Sequence, residues 1–190
     1  MPTRDIPTPP DFAALEAAAA EGAKDREHLM TSIGALSVAW SNTESILIYV
    51  MMVLLRTDDI AAALVYGTLN TARARSNLVT RLMQLRLDDD DLRAELEGLL
   101  KEMEACGRLR NDLQHAAYEF DAAGRPVRTR SMRAELSGKS LRFGRTRDID
   151  PGRLEHIART IKRLGEVNHA LWDVLPRLES HVRKEVPQKN

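Results

Sequence analysis

At 190 residues the chain is long enough for one domain with a sizeable core, and too short to argue for two. Its 28 basic and 28 acidic side chains cancel, which excludes steering of the whole protein toward nucleic acid and leaves only local attraction. A hydrophobic content of 43% with 4% aromatic residues, supplied mostly by Ala and Leu, favours helices over sheets.

The chain opens on MPTRDIPTPP. This proline-rich stretch predicts a disordered or loosely docked tail over 1–10 and lacks the basic-then-apolar order of a secretory signal. A single domain is expected over 11–183, with frayed residues at 184–190. Asp11 is placed to cap a first, Ala-rich helix, weakened at Gly22. A second helix is predicted over Glu27–Leu55, because Leu29, Ile33, Leu36, Trp40, Thr43, Leu47, Val50 and Leu54 recur at spacings of three and four. Its most apolar run, Ile46 to Leu55, lies between Glu44 and Arg56 and reaches only ~15 Å as helix, about half a bilayer core. A buried core helix is expected there, and no membrane partner.

Thr57-Asp58-Asp59 breaks that helix and caps a third, over about 59–87, which carries Leu64, Leu69, Leu78, Leu82 and Leu85. The acidic run Asp88 to Asp91 suits the start of a fourth helix, where carboxylates cap free N–H groups and complement the dipole. That helix, over 90–115, has a seam of Leu92, Leu96, Leu99, Met103, Cys106, Arg110 and Leu113 at heptad spacing. Cys106 is expected to be a buried small hydrophobe. As the one cysteine it excludes an intramolecular disulfide and fits a reducing, cytoplasmic setting.

After His115 the texture changes. Tyr118 to Asp121, a turn at Ala122–Arg125, and Val127 to Met132 predict a hairpin; Ser137-Gly138-Lys139 predicts another turn, and Leu141 to Arg147 a third strand. Asp150-Pro151 opens a closing helix whose buried face is Leu154, Ile157, Ile161, Leu164, Val167, Leu171 and Leu175. The fold class is therefore mainly α, four to five helices with a small β insert at about 117–147. Trp40 and Trp172 are expected in the core. His28, His156, His169 and His181 have no ligand-like spacing, and no metal site, phosphate loop or cofactor motif is found.

Arg110 stands where the seam calls for a hydrophobe, which is costly unless its charge finds a partner or solvent. Asn111 and His115 are four apart and share a helical face, whereas Arg110 and His115 lie roughly 140° apart around it. The two can flank a groove, and crossing two copies of the helix in a two-fold dimer would bring Arg110 of one chain toward His115 of the other. Between Arg125 and Arg147 there are eight basic residues (Arg125, Arg128, Arg130, Arg133, Lys139, Arg142, Arg145, Arg147) against Glu135 alone. This bias reads equally as an RNA-backbone surface, carried by Arg125, Arg128, Arg130, Arg142 and Arg145, and as edge-strand protection.

The run Arg110-Asn111-Asp112-Leu113-Gln114-His115 at the end of a long helix resembles the HEPN motif, an Arg followed after four to six residues by His. The context is also similar over about 30–180: an upstream helix with Trp40 and Glu44, and an insert with a turn at Gly124 before a closing helix. The resemblance implies a HEPN-like helical bundle, a homodimer, and in many members metal-independent ribonuclease activity in toxin–antitoxin or defence systems, with an antitoxin or another protein as a further partner. By position, Arg110 and His115 would be catalytic, Asn111 would help position them, and Glu44 and Asp112 would support them. The alternative is a non-catalytic module of the same fold that binds nucleotide, RNA or a protein.

Overall fold

The computed structural model describes residues 9, 11–132, 134–137 and 140–184. The expected tail at 1–8 and at 10, the frayed end at 185–190, and Arg133, Gly138 and Lys139 lie outside the described residues. The chain is mainly helical with a small antiparallel insert. In order it runs α1 (Phe12–Ala17), a 3₁₀ turn (Ala18–Ala20), α2 (Ala23–Ser45), α3 (Leu47–Leu55), α4 (Asp59–Thr68), α5 (Ala72–Arg86), α6 (Asp90–Gln114), β1 (Ala116–Phe120), β2 (Pro126–Ser131), β3 (Ala134–Ser137), β4 (Ser140–Phe143), β5 (Thr146–Asp148) and α7 (Pro151–Lys184).

Side-chain caps set most helix starts. Asp11 accepts from the Ala14 N–H at 3.0 Å, Asp58 from Ala61 at 2.7 Å, Asp89 from Leu92 at 2.9 Å and Asp150 from Arg153 at 2.7 Å. Two expected helices are each divided. The third breaks at Leu69–Thr71, where the Thr71 hydroxyl accepts from Ala74 N–H at 3.1 Å and starts α5. The second breaks at Ile46, whose acceptor in a continuous helix would be the Asn42 carbonyl, to which the Ser45 hydroxyl donates at 3.0 Å. The Ile46 N–H turns instead to Thr43, at 3.3 Å.

The chain falls into two compact units, Gly34–Asn111 with Ile157–Asn190, and Met1–Ile33 with Asp112–His156. The first is a helical bundle in which α3 packs against α4 and α5. Leu47, Val50, Met51 and Leu54 of α3 are completely buried. Residues Ala23–Leu55 are long and apolar enough to cross a membrane by length and composition, yet this α3 face is packed inside the bundle. The Thr43 hydroxyl donates to the Leu164 carbonyl at 3.3 Å and so fastens α2 to α7.

The seam of α6 is broader than heptad spacing implies. Leu100 and Leu109 are buried along with Leu92, Leu96, Met103 and Cys106, while Leu99 is only half-buried. The reason is that α6 packs on several neighbours: Gly107 lies under the Trp40 ring of α2, and Glu102 accepts from Arg163 of α7 at 3.0 Å. Trp172, expected in the core, is 48% exposed and leans on Tyr49 with ring centroids 5.4 Å apart. Leu64 and Leu85 are likewise exposed, and Ala62, Val79, Leu82 and Met83 take the core positions of α4 and α5.

In the second unit β2 is the middle strand of an antiparallel sheet ordered β1-β2-β5, and β3 pairs with β4 as a separate hairpin. The expected third strand is therefore two, split where Gly144 adopts φ +76°, a conformation glycine takes without penalty. The hairpin turn meets the N-terminal segment closely. A Cβ on Gly22 would sit 2.4 Å from the Gly124 carbonyl carbon, and Arg26 donates to that carbonyl's oxygen at 2.6 Å.

A Cβ on Gly107 would come within 2.6 Å of the Trp40 ring, whereas Gly34 of α2 has open space around it. Gly107→Ala is expected to destabilise the protein by about 1–3 kcal/mol through overpacking. Gly34→Ala should instead stabilise it by roughly 0.5–1 kcal/mol by stiffening the helix. Urea denaturation measures both, and a neutral Gly107→Ala would mean that Trp40 is not seated on α6.

Candidate functional site

Within the helical unit a polar cluster is assembled around Trp40, which is 3% exposed. Its indole N–H donates to Glu44 Oε2 at 2.9 Å, one turn later on α2. Arg75 of α5 donates to the other carboxylate oxygen at 2.7 Å and to the Tyr66 hydroxyl at 3.3 Å, with its guanidinium carbon 3.9 Å from the Tyr66 ring centroid. Glu44 is thus a buried carboxylate satisfied on both oxygens, as a charge withdrawn from water must be. Burial, and secondarily the Glu44 charge, push the Tyr66 hydroxyl above its ordinary pKa, opposed by Arg75.

Arg110 completes the cluster from α6. Its guanidinium carbon lies 5.6 Å from the Trp40 ring centroid, on the edge of cation–π range, and its Nη1 donates to Asn111 Oδ1 at 2.8 Å. The side chain is half-buried, and its Nε is buried without a partner among the described residues. An orphaned donor of this kind costs about 1–3 kcal/mol, so its retention asks for a reason beyond packing. The structure therefore brings together Arg110, Asn111 and, through Trp40, Glu44.

Asp112 and His115 belong to the other unit. Helix α6 ends at Gln114, and His115 forms the exposed turn into β1, one residue beyond the helix rather than on it. The Tyr118 hydroxyl donates to the Leu113 carbonyl at 2.8 Å, satisfying one of the free acceptors at the helix end. Burial raises the Tyr118 pKa, with Arg153 pulling it down. Asp112 pairs with Arg147 at 2.8 Å.

Three of the basic residues named for an RNA surface are engaged in ion pairs. Arg125 pairs with Asp121 at 2.9 Å, Arg128 with Asp148 at 2.9 Å, and Arg130 Nε with Glu119 Oε1 at 2.7 Å. These carboxylates lie just outside the counted window and return to it through strand pairing, with Glu119 opposite Arg128 and Arg128 opposite Asp148. Arg142 is placed by its backbone on β4 opposite Glu135, and its side chain lies outside the described residues. Arg145 is exposed in the link between β4 and β5. Sequence reasoning missed Arg75 and Tyr66, which reach Glu44 from other helices at no telling spacing. It also missed Arg153, whose place near Arg147 depends on how the sheet folds.

Among the described residues no group of three or more His, Cys, Asp or Glu is arranged to hold a metal ion. Cys106 is buried, and burial pushes its thiol above the ordinary range, with the Glu102 charge adding to the shift. The chain matches no family model, no curated protein and no solved structure.

Removing one member of the Trp40–Glu44–Arg75 network leaves buried partners uncompensated. Glu44→Ala is expected to cost about 3–5 kcal/mol. Glu44→Gln keeps an acceptor for the Trp40 N–H and should cost distinctly less. Chemical denaturation of both variants checks the order, and equal losses would show that the indole bond contributes nothing.

Proposed function

We propose that the chain is a metal-independent endoribonuclease of the HEPN type that works as a homodimer, with Arg110 and His115 as its catalytic pair. The observation that carries this reading is the state of Arg110. It is a half-buried guanidinium set against an indole, steadied by Asn111 and holding one donor unspent, and the same helix delivers an exposed histidine five residues later.

The chemistry suits these groups. When a ribose 2′-oxygen attacks the adjacent phosphorus, a base takes the hydroxyl proton and an acid returns a proton to the departing 5′-oxygen. The products are a 2′,3′-cyclic phosphate and a free 5′-hydroxyl. Histidine performs either transfer near neutral pH, and two copies of His115 supply both. Arg110 binds the non-bridging oxygens and offsets the charge that grows on them. The attacking hydroxyl restricts the substrate to RNA. The ion pairs of Arg125, Arg128 and Arg130 favour the second reading, a non-catalytic module of the same family, because these cations are already engaged by the protein's own carboxylates.

With labelled RNA in chelator, wild-type protein is expected to cleave to cyclic-phosphate ends. His115→Ala should lose at least about 100-fold in rate, and Arg110→Ala a similar factor. Arg110→Lys should not restore activity, since an ammonium neither stacks nor forks. Sedimentation should give a dimer. Cleavage that survives both alanine substitutions would remove the nuclease reading.

A further inference from the structure

Three arginines of the sheet unit converge, two from the basic segment counted in the sequence and one from beyond it. Arg145 and Arg147 flank the start of β5, and Arg153 lies in the first turn of α7. Together with Asp112, Thr129 and Ser131 they line one small cleft. Among the described residues that line it, Asp112 is the one carboxylate, bound to Arg147 at 2.8 Å, and Asp150 acts on Arg153 from outside the lining. Arg153 is half-buried, and its Nε is buried without a partner among the described residues.

Clustered guanidinium groups repel one another, and burial strips away the water that would screen them. Burial first, and then the Arg147 charge, depress the Arg153 pKa, which Asp112, Tyr118 and Asp150 only partly offset. A site in this condition lacks an anion. The cleft is too small to enclose a phosphate, but one at its mouth suits the arginines, because several oxygens can accept from guanidinium forks. Asp112 and Ala116, on either side of His115 in the chain, both line the cleft.

We infer that Arg145, Arg147 and Arg153 form a phosphate subsite for the RNA backbone, and that the Asp112 carboxylate occupies Arg147 until the phosphate arrives. The choice of RNA over another phosphorylated ligand rests on the nuclease reading; the anion site itself does not. The arginines concerned differ from the paired ones at 125, 128 and 130, and Arg153 lies outside the basic segment altogether.

The test uses the full chain and a fluorescent single-stranded RNA carrying 2′-O-methyl groups, which binds but is not cleaved. Arg145→Ala and Arg153→Ala are each expected to weaken binding about tenfold. Each should also flatten the slope of log affinity against log salt by about 0.7, one backbone contact on a single strand. Asp112→Asn frees Arg147 and should tighten binding roughly threefold, the worth of an exposed ion pair. Arg145 is exposed, so its variant reports on binding even where Arg153→Ala unfolds, and thermal melts identify that case. Unchanged affinity and salt slope in Arg145→Ala, or weaker binding in Asp112→Asn, would overturn the subsite. Saturation by inorganic phosphate or a mononucleotide with no measurable affinity for the oligonucleotide would overturn its assignment to RNA. Cleavage of unmodified RNA is scored separately: a wild type that binds with these dependences but never cuts sinks the nuclease reading and leaves the subsite standing.

Discussion

The bond from the Trp40 indole to Glu44 holds the helical unit in its particular arrangement. An indole fills the space over Gly107, and its N–H needs an acceptor in a place without water. Glu44 supplies it but brings a charge, and the charge is tolerable only because Arg75 reaches across from α5 at 2.7 Å. Each group thus creates the need that the next one meets, and α2, α5 and α6 are tied together as a consequence. Such networks rigidify when complete and destabilise strongly when one member is lost. Leucines alone could bury as much surface but would not fix the rotation of α2 in this way.

Much of this fold is legible from local signals. The caps at Asp11, Asp58, Asp89 and Asp150 are short-range chemistry, in which a side-chain oxygen meets an N–H three residues on. The periodic set in α2 and α3 is buried almost as its spacing requires, from Leu29 through Trp40 to Leu54. The breaks were harder to see. Nothing like proline or glycine marks Ile46; the Ser45 hydroxyl bonds the Asn42 carbonyl there, but Ser32 and Thr80 make the same kind of bond inside unbroken helices, so such a residue decides nothing alone. Trp172 misled for the opposite reason. Its size argues for the core, yet a helix of 34 residues has positions on every side, and this one falls on the rim beside Tyr49.

The basic segment shows why counting charge along a chain differs from locating it in space. Eight cations against one anion is a correct count for residues 125–147. Antiparallel pairing then lays β1 and β5 along the two edges of β2, and Glu119, Asp121 and Asp148 arrive as partners. Three of the eight cations are thereby engaged. Among the described residues, Arg145, Arg147 and Arg153 line one cleft with Asp112 as the carboxylate on its wall. Sheet topology thus pairs three cations of the segment with carboxylates from outside it and brings Arg153, also from outside it, to Arg145 and Arg147.

The same reasoning bears on why position 110 carries arginine and not lysine. A lysine in that place would hold a compact, strongly hydrated ammonium, which is costly to keep half-buried beside an apolar ring. The guanidinium is flat and weakly hydrated, so it can lie against an indole while Nη1 is fixed by Asn111. The neighbouring ring and the hydrogen bond to the adjacent amide together restrict where its head group can go. Its Nε is buried without a partner among the described residues, which is the cost of that posture. Glu44 accepts the indole N–H and so holds in place the ring beside which the guanidinium lies, without touching Arg110 itself.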